Sequence, residues 1–306
     1  MRRIAAAVLA AMALAACNSA DKPHAAVRAK TLHATTTTTS TPLPPTTTTL
    51  PPLPDFSATT AADPGVVAAA ITGAEHATLD PATAADVVHA AGYALQLGYR
   101  RIAALDPAFE QAVSAGLPDD LKGALALNVG AMRQLLSLGT SHATAPPAKW
   151  KIVPVAPTDE LLSYYREASA QTGVPWEILA AIHLVETKLG RVVGDSSAGA
   201  QGPMQFMPRT WAAYGQGDIY SNRDSIMSAA RYLKANGAPE RLDDALHHYN
   251  PTAKYVIAVK AYAQRMGVNA NAYRGYHEWQ VLYRTTTANL LLPEGWPAVA
   301  AIPLNL

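Results

Sequence analysis

This sequence has little cysteine and little phenylalanine, and its positive and negative charges are nearly balanced. The 306-residue chain has one cysteine, Cys17, and three phenylalanines, which excludes an intramolecular disulfide and a site built from several thiolates. Lys and Arg number 24 against 23 Asp and Glu, and no segment forms a basic stripe, so nucleic acid is not expected as a partner. Alanine is abundant and β-branched runs are few, which predicts an all-α, or mainly α, fold.

Long apolar runs are also rare, and the clearest one covers residues 4–16, directly after Met1-Arg2-Arg3. A run of this length is too short for a membrane span and predicts a secretory signal peptide over residues 1–16. It ends in Leu14-Ala15-Ala16-Cys17, which resembles the lipobox of bacterial lipoproteins. The resemblance implies lipidation of Cys17 and a membrane anchor. An ordinary signal peptide that happens to contain a cysteine is the alternative.

Residues 17–60 are predicted to be a disordered tether behind this anchor. Residues 31–54 are almost entirely Thr and Pro, a composition that cannot bury a core. Near polyproline II geometry, the tether would reach on the order of 100 Å. Such a spacer suits a domain that works on a wall at a distance from its membrane.

The rest of the chain is divided by its helical periodicity and by proline. Residues 61–140 are predicted to be a helical accessory region, with one helix starting at Asp80-Pro81 and another at Pro118. Residues 141–157 are a linker, or an extended wrap over the domain that follows. We expect that domain to cover residues 158–275, with helices at 159–171, 176–189, 223–236, 239–248 and 253–266. The tail, 276–306, has no assigned role, although residues 281–287 could form a short strand.

Glu186 stands out on the helix that follows Pro175. At about 100° per residue, the apolar side chains Ile178, Ile182, Val185 and Leu189 form its buried stripe, and Glu177 and Lys188 are expected on the far side. Glu186 falls at the buried edge, in the last turn. Burial and the negative end of the helix dipole both favour its protonated form, as a general acid requires. A structural ion pair with Arg191 or Arg209 explains the position equally well.

Two later segments of the sequence favour the interpretation of Glu186 as a general acid. Residues 194–208 form a loop of small residues that ends in Met204-Gln205-Phe206-Met207. Its backbone could bond hydroxyl and acetamido groups, and its apolar side chains could support sugar faces, although such side chains are more often core. Farther on, Tyr249-Asn250 ends a helix with an aromatic and polar pair.

Glu186 with a hydroxyl residue beside it, then Ala198 to Pro208, then Tyr249-Asn250, resembles the lytic transglycosylases of the lysozyme-like superfamily. The resemblance covers about residues 160–270, with the three motifs in family order. It implies a lysozyme-like fold, a peptidoglycan substrate and Glu186 as the single catalytic acid and base. No cofactor is implied, and wall-synthesis proteins become possible partners of residues 61–140.

The resemblance also implies a set of substrate-binding residues, in which Gln205 contacts the glycan and Tyr249 bonds near the Glu carboxyl or the N-acetyl group. The full set is Thr187, Ser197, Met204, Gln205, Phe206, Tyr249 and Asn250. Two departures from the family pattern stand out. Thr187 stands where the family usually has Ser, and it keeps the hydroxyl. Pro251-Thr252 follows Tyr249-Asn250, where the family commonly has Gly, so the family pattern does not predict the backbone at that position.

The resemblance implies that Glu186 protonates the oxygen between N-acetylmuramic acid and N-acetylglucosamine, with the 2-acetamido group supporting charge at C1. The carboxylate would then take the C6 hydroxyl proton as a 1,6-anhydro ring closes. A hydrolytic muramidase using Asp195 to activate water is one alternative. A wall-binding protein without turnover is the other.

Metal binding is not expected. His247 and His248 are adjacent and so point to different helix faces. Residues 215–224 faintly resemble a calcium loop but lack its alternating acidic residues and closing Glu, so we expect a turn with a helix cap at Asn222 or Asp224.

Overall fold

The computed structural model describes residues 63–138 and 143–306. The predicted signal peptide, Cys17 and the Thr/Pro-rich tether lie outside the described residues. Within the described ranges the chain is mostly helical, with eleven helices and five short strands, which confirms the mainly α prediction. None of the helices in these ranges is both long enough and apolar enough to cross a membrane.

Four helices lie within residues 63–138. Asp63 and Asp106 accept hydrogen bonds from backbone N–H groups at the starts of the first and third, as N-caps do. Asp80-Pro81 does not start a helix as predicted. Asp80 Oδ1 instead accepts from Ala82 N at 2.8 Å in a turn. The helices are α1 (Pro64–Leu79), α2 (Ala85–Ala104), α3 (Pro107–Ala115) and α4 (Asp119–Leu136).

Seven helices follow residue 157, five of them close to the predicted bounds, whereas Pro208–Tyr214 and Ala272–His277 were not predicted. The helix carrying Glu186 ends at Thr187 rather than at residue 189, because Lys188 and Leu189 both have positive φ, at 53° and 60°. The cap of the helix beginning at Asn222 is Ser221, whose hydroxyl accepts from Asp224 N. The helices are α5 (Thr158–Thr172), α6 (Trp176–Thr187), α7 (Pro208–Tyr214), α8 (Asn222–Ala235), α9 (Leu242–Tyr249), α10 (Ala253–Val268) and α11 (Ala272–His277).

Helix α10 joins the two halves of the molecule. It packs against α4 and against α6, while α11 packs on α1 and α2. Leu125, Leu179 and Tyr262, from three of these helices, belong to one continuous hydrophobic core. The region before residue 140 is therefore packed into the same core as the helices that carry the Glu186 motif.

A buried polar network crosses this junction. Arg265 of α10 forms an ion pair with Glu75 of α1 at 2.7 Å, and both side chains are almost fully buried. Tyr99 of α2 donates its hydroxyl to the same carboxylate. Nearby, Tyr276 donates to Asn128 Oδ1 at 2.6 Å, so that α4 and α11 join the network.

The strands make a second, smaller core. Antiparallel β1 (Lys151–Ile152) and β2 (Val192–Val193) pair, and β3 (Val281–Arg284), β4 (Asn289–Leu292) and β5 (Ile302–Leu304) form an antiparallel sheet in chain order. The predicted short strand at 281 is thus present, within a sheet that the sequence did not indicate. Its side chains pack with those of residues 150–152 and 192 in a cluster of Trp150, Ile152, Val192, Val281, Tyr283 and Leu292.

Candidate active site

Helix α6 is buried on every side. All residues from Ile178 to Thr187 are buried, because α5, α8 and α10 pack around this helix. Lys188 was expected on an exposed face and is buried instead, with 9% of its surface exposed. Glu177 is partly buried. Periodicity identified one apolar face correctly, but the opposite face is covered by elements distant in sequence.

Glu186 lies at the end of this helix with 9% of its surface exposed. Burial raises the pKa of its carboxyl group from the usual 4.5 to about 7, and the Tyr255 hydrogen bond and the Lys188 charge oppose that rise. A carboxyl group with this pKa can both give and take a proton near neutral pH. The small exposed fraction leaves it in contact with the surface.

The ion pair considered as the alternative for Glu186 is not present. Arg191 pairs with Glu294 through Nη1 at 2.7 Å, and its Nη2 donates to the carbonyl of His277. Arg209 is exposed. In the parts of the chain that the structure describes, no ion pair includes Glu186.

Tyr255 is the partner that the sequence reasoning missed. Its hydroxyl donates to Glu186 Oε1 at 2.8 Å, and the residue is 1% exposed. Tyr249, which was expected near the carboxyl group, donates to the carbonyl of Met204 at 2.7 Å. The two phenol rings are parallel, with centroids 6.5 Å apart.

The departure at Pro251-Thr252 sets the start of α10 and thereby the place of Tyr255. The Thr252 hydroxyl accepts from Tyr255 N at 3.1 Å as the N-cap of that helix. The signal available in the sequence was therefore a capping Thr after proline, followed by Tyr255 in the first turn.

Thr187 holds the loop that follows the helix. Its hydroxyl donates to the carbonyl of Pro203 at 2.6 Å and accepts from Gly190 N at 3.0 Å. The hydroxyl kept at this position thus connects the end of α6 with the small-residue segment. Both contacts of the Thr187 hydroxyl are with the protein backbone, and both hold the loop in place.

The loop itself is a tight turn followed by a narrow hairpin. Ser196 is buried, and its hydroxyl accepts from Ala200 N at 2.9 Å, while Ser197 is exposed. Gln201 and Phe206 pair through two backbone hydrogen bonds of 2.8 Å. Gly202 has φ +72°, and a Cβ there would lie 2.0 Å from the Ile219 carbonyl, so only glycine fits.

Gln205 sits at the tip of this hairpin in a backbone conformation that is rare for a residue with a side chain. Its φ is +51°, and its Nε2 donates to the carbonyl of Gly202 at 2.9 Å. Its Oε1 is buried and has no hydrogen-bond partner among the described residues. Strained backbone and an unsatisfied polar atom are common at functional positions.

Two predicted substrate contacts lie in the core. Met204 is 0% exposed and Phe206 is 3% exposed, so neither offers its side chain to a sugar face as expected. Phe206 packs edge-on against Trp211, with ring centroids 5.3 Å apart. These apolar side chains support the loop from below because the hairpin turns them inward.

Two further residues named from the sequence are Asn250 and, for the hydrolytic alternative, Asp195. Asn250 is buried, its carbonyl accepts from Thr252 N at 2.7 Å, and its Oδ1 has no partner in the described ranges. Asp195 is partly exposed, and its backbone carbonyl accepts from Trp150 Nε1 at 3.2 Å.

Replacing Tyr255 with Phe tests the hydrogen bond to Glu186. Because the phenol stabilises the carboxylate, its loss should raise the pKa of Glu186 above about 7, by about one pH unit. The pKa is measured by NMR titration of the ¹³C-labelled carboxyl group, assigned with Glu186→Gln. The matched control is Tyr249→Phe, because the hydroxyl that it removes bonds Met204. An unchanged titration in Tyr255→Phe would contradict the assignment.

Comparison with known proteins agrees with the motifs. Residues 163–272 match the family described as "Transglycosylase SLT domain". A relative, the "Membrane-bound lytic murein transglycosylase F" of Thiobacillus denitrificans, is 28% identical over 127 residues, which cover 39% of this chain and 27% of the relative. The match thus spans about a quarter of that relative's length, and no solved structure matches the chain. Residues 163–272, which match the transglycosylase SLT domain family, contain Glu186, Tyr249 and Tyr255.

Proposed function

We propose that this protein is a peptidoglycan lytic transglycosylase in which Glu186 acts first as an acid and then as a base. The observation that carries the proposal is a carboxyl group buried at the end of α6, with a pKa of about 7 and a phenol as its hydrogen-bond donor. The family that residues 163–272 match and the description of the relative as a lytic murein transglycosylase support the substrate class.

The environment of Glu186 supports the two-step chemistry. The neighbouring groups that act on its charge are Lys188 and Tyr255, and no carboxylate is among them. A hydrolytic mechanism usually needs a second carboxylate, whereas an internal C6 hydroxyl needs only one. The protonated Glu186 donates to the glycosidic oxygen, and the 2-acetamido group supports the charge at C1. The carboxylate then removes the C6 hydroxyl proton as the 1,6-anhydro ring closes.

Gln205 and Asn250 are proposed to bind the glycan. Each has a buried side-chain oxygen without a hydrogen-bond partner in the described residues. A hydroxyl or acetamido N–H group of the substrate would satisfy such an acceptor. Ser197 is exposed on the same loop and remains a proposed contact. Thr187, Met204, Phe206 and Tyr249 would act by holding the loop in place.

The same proposal places the protein at the cell envelope, lipidated on Cys17 and reaching the wall through residues 17–60. Docking of wall-synthesis proteins on residues 61–140 stays a prediction. The named relative is described as membrane-bound, which supports an envelope location.

Product analysis tests the proposed reaction. Purified protein incubated with peptidoglycan should release fragments that end in 1,6-anhydro-N-acetylmuramic acid, identified by mass spectrometry. These products are 18 mass units (about one water) lighter than hydrolytic products, because the C6 hydroxyl replaces water as the nucleophile. A hydrolytic muramidase digested in parallel supplies the reducing-end reference.

Reducing muramic ends would favour hydrolysis with Asp195 and overturn the proposal. Binding to sacculi without any cleavage would favour the non-catalytic alternative.

A further inference from the structure

A cavity of about 260 Å³ lies next to the Glu186 site, and none of the residues assigned to that site lines it. Its lining residues come from the segment after β1, the segment around β2, the hairpin at residues 202–203 and the turn before α8. Two of them, Val193 and Tyr220, have 42% and 56% of their surface exposed. The cavity is therefore open to solvent, and it has room for part of a ligand.

One wall of the cavity is a face of the β1–β2 pair. Side chains alternate between the two faces of a strand, and those of Ile152 and Val192 pack into the smaller core. Val153 and Val193, which line the cavity, therefore lie on the opposite face. This wall is aliphatic and suits an apolar side chain of a ligand.

The backbone of β2 has an open edge at the same cavity. The N–H and C=O groups of Ile152 bond the 295–296 turn, on the side of β1 that faces away from β2. Ile152 and Val192 are therefore a non-hydrogen-bonded pair, in which the N–H and C=O of Val192 point away from β1. Val192 lines the cavity, and no further strand pairs with β2 in the described ranges. An open strand edge is a binding site for an extended peptide.

A positive charge lies on the cavity face of this pair. Lys151 is directly opposite Val193 in the register, so the two side chains are neighbours on one face. Lys151 is exposed and belongs to none of the ion pairs among residues 63–138 and 143–306. Its ammonium group favours a ligand that carries a carboxylate.

The cavity is joined to the Glu186 site by short contacts. The hydroxyl of Thr187, the residue after Glu186, bonds Pro203 at 2.6 Å and Gly190 at 3.0 Å, and both of these residues line the cavity. The hairpin that holds Gln205 at its tip also contributes Gly202 to the cavity. Because an extended peptide covers about 3.3 Å per residue, a peptide of a few residues is long enough to pass from a sugar at Glu186 to this cavity.

We propose that this cavity binds the stem peptide, the short peptide that peptidoglycan carries on its N-acetylmuramic acid. That sugar is the one whose bond Glu186 would open, and the stem peptide has free carboxyl groups. In this arrangement the peptide backbone bonds the edge of β2, an apolar side chain packs on Val153 and Val193, and a carboxylate faces Lys151. The inference deepens the proposed function and rests on it for the identity of the ligand.

Binding of the free stem peptide tests the cavity directly. The probe is the peptide that an amidase releases from peptidoglycan, added to the ¹⁵N-labelled protein. The amide signals of Val192, Val193 and Gly194 should shift, with a dissociation constant on the order of 1 mM because the contact area is small. Lys151→Met should weaken binding about two- to fivefold. Lys122→Met, a lysine of α4 paired with Asp119, is the matched control and should leave binding unchanged.

Cleavage of two matched substrates tests whether the peptide contributes to the reaction. The kcat/KM for peptide-bearing glycan strands should be about tenfold higher than for the same strands stripped by an amidase, which corresponds to one or two net hydrogen bonds. Val193→Trp fills the cavity from an exposed strand position and should bring this ratio close to one. Ile302→Trp, at a comparably exposed position of β5, should keep the ratio of wild type.

The two measurements separate this inference from the proposed function. No amide shift with excess peptide, or an equal kcat/KM for the two substrates in wild type, would overturn the inference. Shifts of the same amides by stripped glycan, but not by peptide, would assign the cavity to sugar and overturn it as well. Peptide binding at β2 in a protein that releases no glycan fragments would support the cavity and reject the proposed reaction.

Discussion

Replacing Glu186 with Gln is expected to reduce peptidoglycan cleavage by about a thousandfold or more. The amide cannot donate a proton to the glycosidic oxygen or take one from the C6 hydroxyl, and general acid–base catalysis contributes about 10²- to 10⁴-fold per group. The change is nearly isosteric, and the Tyr255 hydroxyl can still donate to the amide oxygen. Release of anhydromuramyl fragments measures the effect.

The same variant should be more stable than wild type at alkaline pH. Burial raises the pKa of Glu186 from 4.5 to about 7, so the folded protein holds this proton more tightly than the unfolded chain. That contribution to stability is complete below pH 4.5 and is lost as the pH rises through 7. From the two pKa values, ionisation costs about 3 kcal/mol, whereas Gln has no such cost.

Urea denaturation at pH 5 and pH 9 measures this difference in the free energy of unfolding. The amount by which the free energy of unfolding of Glu186→Gln exceeds that of wild type should be larger at pH 9 than at pH 5. Full activity of a folded Glu186→Gln protein would refute the assignment of Glu186 as the catalytic residue. An advantage that does not change with pH would refute the raised pKa.

Replacing Glu75 with Ala should destabilise the protein by about 3–5 kcal/mol. The change leaves Arg265 buried without its carboxylate and removes the acceptor of the Tyr99 hydroxyl. Because α1 and α10 share one core, the whole described fold should lose stability in a single transition. The measurement is equilibrium urea denaturation followed by circular dichroism.

A double variant, Glu75→Leu with Arg265→Met, is the matched control. It replaces both charges with apolar side chains of similar size, and it should recover much of the lost stability. A loss below about 1 kcal/mol in Glu75→Ala would show that the network contributes little. Separate transitions for residues before and after 140 would contradict the shared core.

The sequence identified the parts of the site that depend on residues close together along the chain. Proline, glycine and helical spacing located α4, α6 and the last turn that holds Glu186, and the SLT comparison agrees with the three motifs. The same reasoning placed Met204 and Phe206 against sugars, whereas the hairpin turns both into the core. Motif order along the chain does not say which way a hairpin directs its side chains.

Helix periodicity failed where both faces of an element are covered. Lys188 follows the last turn of α6 and was assigned to solvent, but β3 and the segment around Trp150 lie over it. Tyr255 was missed for a related reason. Its hydroxyl reaches Glu186 from a helix that begins after Thr252, far along the chain.

By itself, the sequence determined the helical class, because that depends on residue type and spacing, and the order of three motifs along the chain led to the prediction of Glu186 as the catalytic acid. Only the tertiary structure decided that Tyr255 donates to Glu186, that Lys188 is buried and that α1 to α4 share one core with the helices of residues 163–272. Each of these facts joins residues that are distant in sequence or depends on what covers a helix. Burial by distant elements raises the pKa of Glu186 to about 7, and local sequence does not encode that burial.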